Sequence, residues 1–279
     1  MSANPQSRVD EKTPVAPLSV NGVSKIYKVR GRGKGTFAAV DDVSFNIAPG
    51  AAVSLVGASG SGKSTLAKMI TGSERPTSGT IRFGDVAVES LHARGLRNYH
   101  SRVQMVFQDP YAALNPLHTV EYTVMRPCLN YLGMSGDRAR KRVYELLNTV
   151  GLTPPAQYAS KMPHQLSGGQ RQRVVIARAL ACDPELIVAD EPVSMLDVSL
   201  RAGVLRLLAN LREKRGLSLL YITHDLLGAR VISDEILVLY KGKVVEQGPT
   251  KQVLQHPKHE YTVQLLDAVA TPFASQNAA

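Results

Sequence analysis

The sequence predicts an α/β domain built on a largely parallel sheet, with an antiparallel β portion near its start and a helical subdomain inserted in its middle. Three observations predict it. From Leu18 onward, short β-branched runs alternate with helical patterns. One of those runs, residues 51–56, leads through a glycine-rich loop directly into a helical segment, 66–71. The β signal disappears between about Thr119 and Ser160 and then returns.

Taken in chain order, residues 1–17 are rich in Ser, Pro, Asn and charge and lack the apolar stretch of a secretory signal. They are expected to form a mobile cytoplasmic tail. Residues 18–29 and 37–47 read as antiparallel strands joined by 30–35, a Gly- and Lys/Arg-rich stretch too flexible to hold structure alone. Inside the insert, taken as about 119–160, Ala139, Val143, Leu146, Leu147 and Val150 recur at helical spacing. Strands are predicted again at 186–189, 217–222, 235–239 and 244–245, and two short helices around 251–255 and 260–270. The expected organisation is a tail (1–17), one α/β domain (18–250) and a C-terminal helical extension (251–279).

Composition excludes several classes. With 44% hydrophobic and 20% charged residues over 279 positions, the chain can bury a full core. The 33 Lys and Arg outnumber the 23 Asp and Glu, giving a formal net charge of +10, which rules out an acidic solvating segment. Cys128 and Cys182 have no paired spacing, so a disulfide scaffold and a cysteine-ligated metal site are excluded. The longest apolar runs stop far short of the roughly 20 residues that span a bilayer.

The chemistry begins at Gly57, Ala58, Ser59, Gly60, Ser61, Gly62, Lys63, Ser64 and Thr65, which fit GxxxxGK[ST] between a strand and a helix. Glycines let backbone N–H groups curl round a β-phosphate, and a helix N-terminus adds its positive dipole. Lys63 reaches β- and γ-oxygens, and Ser64 can ligate Mg2+. A solvated lysine in a glycine-rich turn is the plainer reading. Chance yields this pattern in about one chain of this length in a hundred, so that reading starts weak. Farther on, the apolar run 186–189 ends in Asp190 and Glu191. Beside a phosphate loop, an aspartate at such a strand end helps hold Mg2+, and the next carboxylate orients the attacking water as general base. Two solvated acids at a strand terminus are the alternative.

Leu166, Ser167, Gly168, Gly169 and Gln170, followed by a helical stretch to Leu180 and lying just before the Asp190 strand, resemble the signature motif of the ABC ATPases. Physical logic agrees, since Ser167 and the glycine amides at a helix start can bind a γ-phosphate. The resemblance implies that this phosphate is held by the opposing subunit, in a head-to-tail pair. Further matches follow in the family's order. Gln108 matches the Q-loop glutamine that senses Mg2+ and the attacking water, Asp197 the D-loop at the dimer interface, and His224 the switch histidine that reaches the γ-phosphate. Tyr27 matches the aromatic that stacks on adenine. Met195 stands where the D-loop usually has alanine.

Residues 108–116 and 259–266 are similar to segments of the oligopeptide/dipeptide/nickel importer branch. No cysteine follows Cys182, so the iron–sulphur cluster that some members of that branch carry is not expected. The resemblance, covering roughly 18–272, implies an ATP- and Mg2+-dependent ATPase at the cytoplasmic face of the cell membrane, powering uptake of peptides or a related small solute. Its implied partners are two integral membrane permease subunits, a second ATPase chain (identical or different) and, indirectly, an external solute-binding protein. The +10 charge fits docking beneath an anionic leaflet or binding polyanions. Arg30, Arg32 and Lys34 form a basic loop without interleaved aromatics, so no nucleic-acid partner is expected. The competing reading is a soluble ABC ATPase acting on nucleic acid, ribosomes or cofactor assembly. One cassette without a heptad array argues against its repair and translation forms.

Overall fold

The structure, a computed structural model, describes residues 15–29 and 35–270. Its strands and helices are, in chain order, β1 (Leu18–Val29), β2 (Gly35–Ile47), β3 (Ala52–Val56), α1 (Lys63–Ile70), β4 (Ser78–Phe83), β5 (Val86–Ala87), α2 (Ala93–Arg102), β6 (Val103–Val106), α3 (Pro110–Ala113), α4 (Val120–Leu132), α5 (Gly136–Thr149), α6 (Pro155–Ala159), α7 (Gly168–Leu180), β7 (Leu186–Asp190), α8 (Val198–Arg215), β8 (Ser218–Thr223), α9 (Leu226–Ile232), β9 (Glu235–Tyr240), β10 (Lys243–Pro249), α10 (Thr250–Gln255) and α11 (Glu260–Ala270).

These strands form a sheet of order β10-β9-β3-β8-β7-β6 and a second of order β2-β1-β4-β5. In the first, β9, β3, β8, β7 and β6 run parallel and β10 closes the edge antiparallel. Every residue of β3, β7 and β8 is buried, as a parallel strand covered on both faces requires. Strand alternation divides their side chains between two cores. Ile187, Ala189, Leu219 and Tyr221 face α4, α5, α7 and α8, whereas Leu186, Val188, Leu220 and Ile222 face α1 and the antiparallel sheet.

The antiparallel pair expected at 18–29 and 37–47 is β1 with β2. Residues 30–34, with Arg30, Arg32 and Lys34, lie outside the described residues, as do 1–14 and 271–279, the end of the expected C-terminal extension. Ala16 and Pro17, expected in the mobile tail, are instead tied down. Ala16 N–H donates to Glu185 (2.9 Å), and the Pro17 carbonyl accepts from Gly84 N–H (2.8 Å). Strand pairing of β1 with β4 brings the preceding residues against the core, where backbone groups must find partners.

The insert is helical, α4 to α6. Val124 and Cys128 of α4, and Val143, Leu146 and Leu147 of α5, pack against Val174 and Val175 of α7. Elements β4, β5, β6, α2, α8 and α9 were not placed by sequence reasoning. Of these, β4 buries only Ile81 and Phe83, and β6 has four residues, so each carries a short periodic signal. The C-terminal helices close a third core: Val253, Tyr261, Leu265 and Leu266 pack with Val56, Ile236 and Val238.

Candidate functional site

Four parallel strands deliver the site from their C-terminal ends, the edge where α/β sheets bind ligands. Residues 57–62 follow β3, Gln108 follows β6, Glu191 follows β7 and His224 follows β8. Register sets them side by side: Val56 pairs with Thr223, Asp190 with Ile222 and Val106 with Ala189.

Close approach demands the glycines at both ends of the loop. A Cβ on Gly57 would meet the Leu239 carbonyl oxygen at 2.2 Å. One on Gly62, whose φ is +108°, would meet the Ala39 carbonyl oxygen at 2.2 Å. Because Gly62 caps α1 without a side-chain bond, the first N–H groups of that helix are left for an anion. Lys63 is only 5% exposed and donates to the carbonyls of Gly57 (2.7 Å) and Ala58 (2.9 Å). Burial pulls its pKa below the ordinary lysine range, while the carboxylates of Glu191 and Asp190 resist that shift.

Asp190 is 7% exposed, and its Oδ1 has no hydrogen-bond partner among the described residues. Burial raises its pKa above the usual aspartate value against the opposing pull of the Ser64 hydroxyl. Glu191 adopts a left-handed φ of +45°, fixed by its N–H donating to Ile222 (2.8 Å) and its carbonyl accepting from the Ser194 hydroxyl (3.0 Å). One carboxylate oxygen accepts from Gln108 Nε2 (3.2 Å), and the other lies 3.3 Å from His224 Nδ1.

A cleft of about 710 Å³ gathers Tyr27, Ser59, Gly60, Gly62, Lys63, Ser64, Thr65, Gln108, Glu191 and His224. Gly57, Ala58 and Ser61 complete the loop backbone around it, and Asp190 lines the adjoining cavity with Gln108 and Lys68. Sequence reasoning missed Phe37. It pairs directly with Tyr27 across β1 and β2, so both exposed rings reach the cleft. Its signal existed only in the strand register. The Tyr27 hydroxyl donates to Glu74 (2.7 Å), and burial, followed by that bond, raises its pKa.

Ser167, Gly168, Gly169, Gln170 and Asp197 do not line this cleft. Ser167 and Gln170 form a reciprocal capping box at the start of α7. The glycines there have a packing reason as well: a Cβ on Gly169 would lie 3.3 Å from Leu200, and one on Gly168 3.6 Å from Leu196. Asp197 caps α8 without a side-chain bond, beside Met195 at 56% and Val198 at 80% exposure. Residues 108–116 are ordered locally by Asp109, which caps α3, and by Asn115, which accepts from Leu117 N–H. Arg178 of α7 holds the Ala113 carbonyl (2.6 Å).

The ABC transporter family model matches residues 40–194, a span that runs from β2 through the phosphate loop, the signature helix and the Glu191 turn. The chain belongs to the ABC transporter family. Among family members, the oligopeptide transport ATP-binding protein OppF of Bacillus subtilis is 45% identical over 86% of this chain and 78% of its own length. The dipeptide transport ATP-binding protein DppF of Haemophilus influenzae is 41% identical over 97% of this chain and 82% of its own. The dimeric post-hydrolysis structure of the ATP-binding cassette MJ0796 with ADP and Pi is similar with a TM-score of 0.75 and 36% identity, covering 84% of this chain and 98% of that one. The fold is therefore that of an ABC ATPase, with its antiparallel β sheet and inserted helices.

Proposed function

We propose that the chain is the ATP-binding and ATP-hydrolysing subunit of an ABC importer that takes up peptides or a related small solute through partner membrane subunits. The observation that carries this reading is the junction of Gln108, Glu191 and His224 beside the phosphate loop, in a cleft that also presents Tyr27. The peptide-transport names of OppF and DppF support the class of cargo. No helix among the described residues is long and apolar enough to cross a membrane. The relatives lend no support to a role with nucleic acid, ribosomes or cofactor assembly.

In this reading the loop amides and Lys63 hold the ATP phosphates, Tyr27 stacks on adenine, and Glu191 takes a proton from the attacking water while His224 and Lys63 face the developing charge. Gln108 orients the Glu191 carboxylate and links it to residues 109–116, the segment that in this reading contacts the permease. The residues present fit Mg2+: a buried carboxylate oxygen without a partner, beside a serine hydroxyl, is a hard oxygen donor set. Ser64, Asp190 and Gln108 would hold it, and when bound it neutralises phosphate charge. Ser167, Gly168, Gly169, Gln170 and Asp197 face a second cassette and complete its site, which the dimeric MJ0796 neighbour supports. The second chain is identical or a paralogue, two permease subunits sit above the pair on the cytoplasmic side of the membrane, and a solute-binding protein delivers cargo outside.

Gentle solubilisation of tagged protein from native membranes tests this reading. Two polytopic proteins should co-purify, with ATP hydrolysis lost in Lys63→Ala. A pool bound to nucleic acid or ribosomes, without membrane partners, would overturn the importer assignment.

A further inference from the structure

The phosphate loop is gripped from outside by the C-terminal extension. Ala58 N–H donates to the hydroxyl oxygen of Tyr261, on the first turn of α11, at 2.8 Å. The carbonyls of Gly57 and Ala58 meanwhile accept from Lys63. Residue 58 is thus held by its N–H on the outer side and by its carbonyl on the inner side.

The hydroxyl is itself aimed by a chain of contacts. Glu246 of β10 accepts from the N–H groups of Lys258 (2.9 Å) and His259 (3.0 Å), which sets the chain entering α11. His259 Nδ1 accepts from Tyr261 N–H (3.1 Å), fixing the start of the helix. The Tyr261 ring then packs on Tyr240, with centroids 4.2 Å apart and planes at 33°. Tyr240 follows Leu239, whose carbonyl is the group that crowds Gly57. The β9–β10 turn holds the loop a second time, through Gly242 N–H donating to the Ser61 carbonyl (2.9 Å).

We propose that Tyr261 is a positioning residue of the nucleotide site: its hydroxyl keeps the outer rim of the phosphate loop in the shape that accepts phosphates, and it thereby links loop occupancy to docking of α11. This rests on the reading that residues 57–65 hold the ATP phosphates. On nucleotide arrival Lys63 must exchange the two carbonyls for phosphate oxygens, so the lysine's hold on residue 58 is released at the moment of binding. The Tyr261 bond then remains as the hold on the residue 58 N–H, beside the longer bond from Ser61 N–H to its carbonyl (3.2 Å). A loop without it visits other shapes, and affinity falls by the fraction of time spent in them. Linkage is reciprocal, so nucleotide must steady α11 as much as α11 steadies the loop.

Tyr261→Phe is the test, because it keeps the ring on Tyr240 and removes only the acceptor. With the purified full-length chain and trinitrophenyl-ATP as probe, its dissociation constant should rise about three- to tenfold, the equivalent of one net hydrogen bond. KM for ATP should rise by the same factor with kcat near wild type. A purely structural role would lower the melting temperature equally with and without nucleotide and leave KM alone. Amide exchange on the unmodified protein supplies a readout independent of any variant: ATP should slow exchange across 260–268. An unchanged dissociation constant and KM in Tyr261→Phe, or exchange at 260–268 indifferent to ATP, overturns the proposal. Failure of the wild-type chain to bind the probe, or equal binding by Lys63→Ala, overturns instead the assignment of the loop.

Discussion

One carboxylate oxygen of Glu191 lies 3.3 Å from His224 Nδ1, and the strained turn at φ +45° holds it there. Because the other oxygen is engaged by Gln108, this one glutamate joins the strand ends of β6, β7 and β8. The Gln108 amide beside it takes no proton from water, whereas the Glu191 carboxylate can.

Glu191→Gln should therefore slow ATP hydrolysis by about a hundredfold or more, since an amide of the same shape accepts no proton. Binding of ATP should stay near wild type, because the phosphate loop is untouched. Steady-state phosphate release and an equilibrium binding titration measure the two separately. Hydrolysis within a few-fold of wild type would remove Glu191 from the role of general base.

Tyr27→Leu should weaken ATP binding by roughly tenfold or more, given ~1–3 kcal/mol for a base stacked on an aromatic ring. Tyr27→Phe keeps the ring and loses only the bond to Glu74, so its affinity should be close to wild type. Phe37→Leu should weaken binding as well, since Phe37 faces the same cleft from the paired strand. Equilibrium dialysis with ATP ranks the three variants.

Burial pushes the Cys182 thiol up to about 12, aided by the neighbouring Cys128. A thiol raised from about 8.5 in the unfolded chain adds stability that is whole below pH 8.5 and is lost progressively as pH climbs toward 12. Alkaline titration should accordingly lower the melting temperature over that window, and replacing Cys182 with Ala should flatten its contribution. Both thiols should resist alkylation at pH 8 in the native protein and react on unfolding, as mass spectrometry would record.

Arg178→Met should lower stability by ~1–3 kcal/mol, the cost of losing a charged hydrogen bond to a half-buried carbonyl. Arg178 ties the signature helix α7 to Ala113, five residues after Gln108. Burial lowers its guanidinium pKa. Chemical denaturation of wild type and variant gives the difference directly, and an unchanged midpoint would show that the tether carries no net stability.

Much of the site was legible because its chemistry is local in the chain. The phosphate loop needs glycines, a lysine and a hydroxyl at fixed spacing between a strand and a helix, and Asp190 and Glu191 end an apolar run that can only be an interior strand. Phe37 was not legible, because an aromatic two residues into a strand looks like packing until the register pairs it with Tyr27. The strands β4, β5 and β6 escaped for a different reason: unlike the continuous apolar runs of β3, β7 and β8, β4 buries only Ile81 and Phe83, β5 has two residues and β6 four, so none carries a sustained apolar run.

The sequence by itself determined the family and the class of chemistry, and it singled out Lys63, Asp190, Glu191, Gln108 and His224 as candidate residues, since covalent spacing and residue type are enough to suggest a phosphate cradle and its acids. Only the tertiary structure decided how these residues meet: that Gln108 and His224 flank one carboxylate, that one Asp190 oxygen has no partner among the described residues, and that Tyr261 reaches across 203 positions to grip Ala58. Those relationships depend on strand register and on the packing of the C-terminal helix against β9 and β3, which are sums of many weak long-range contacts that no short window of sequence contains.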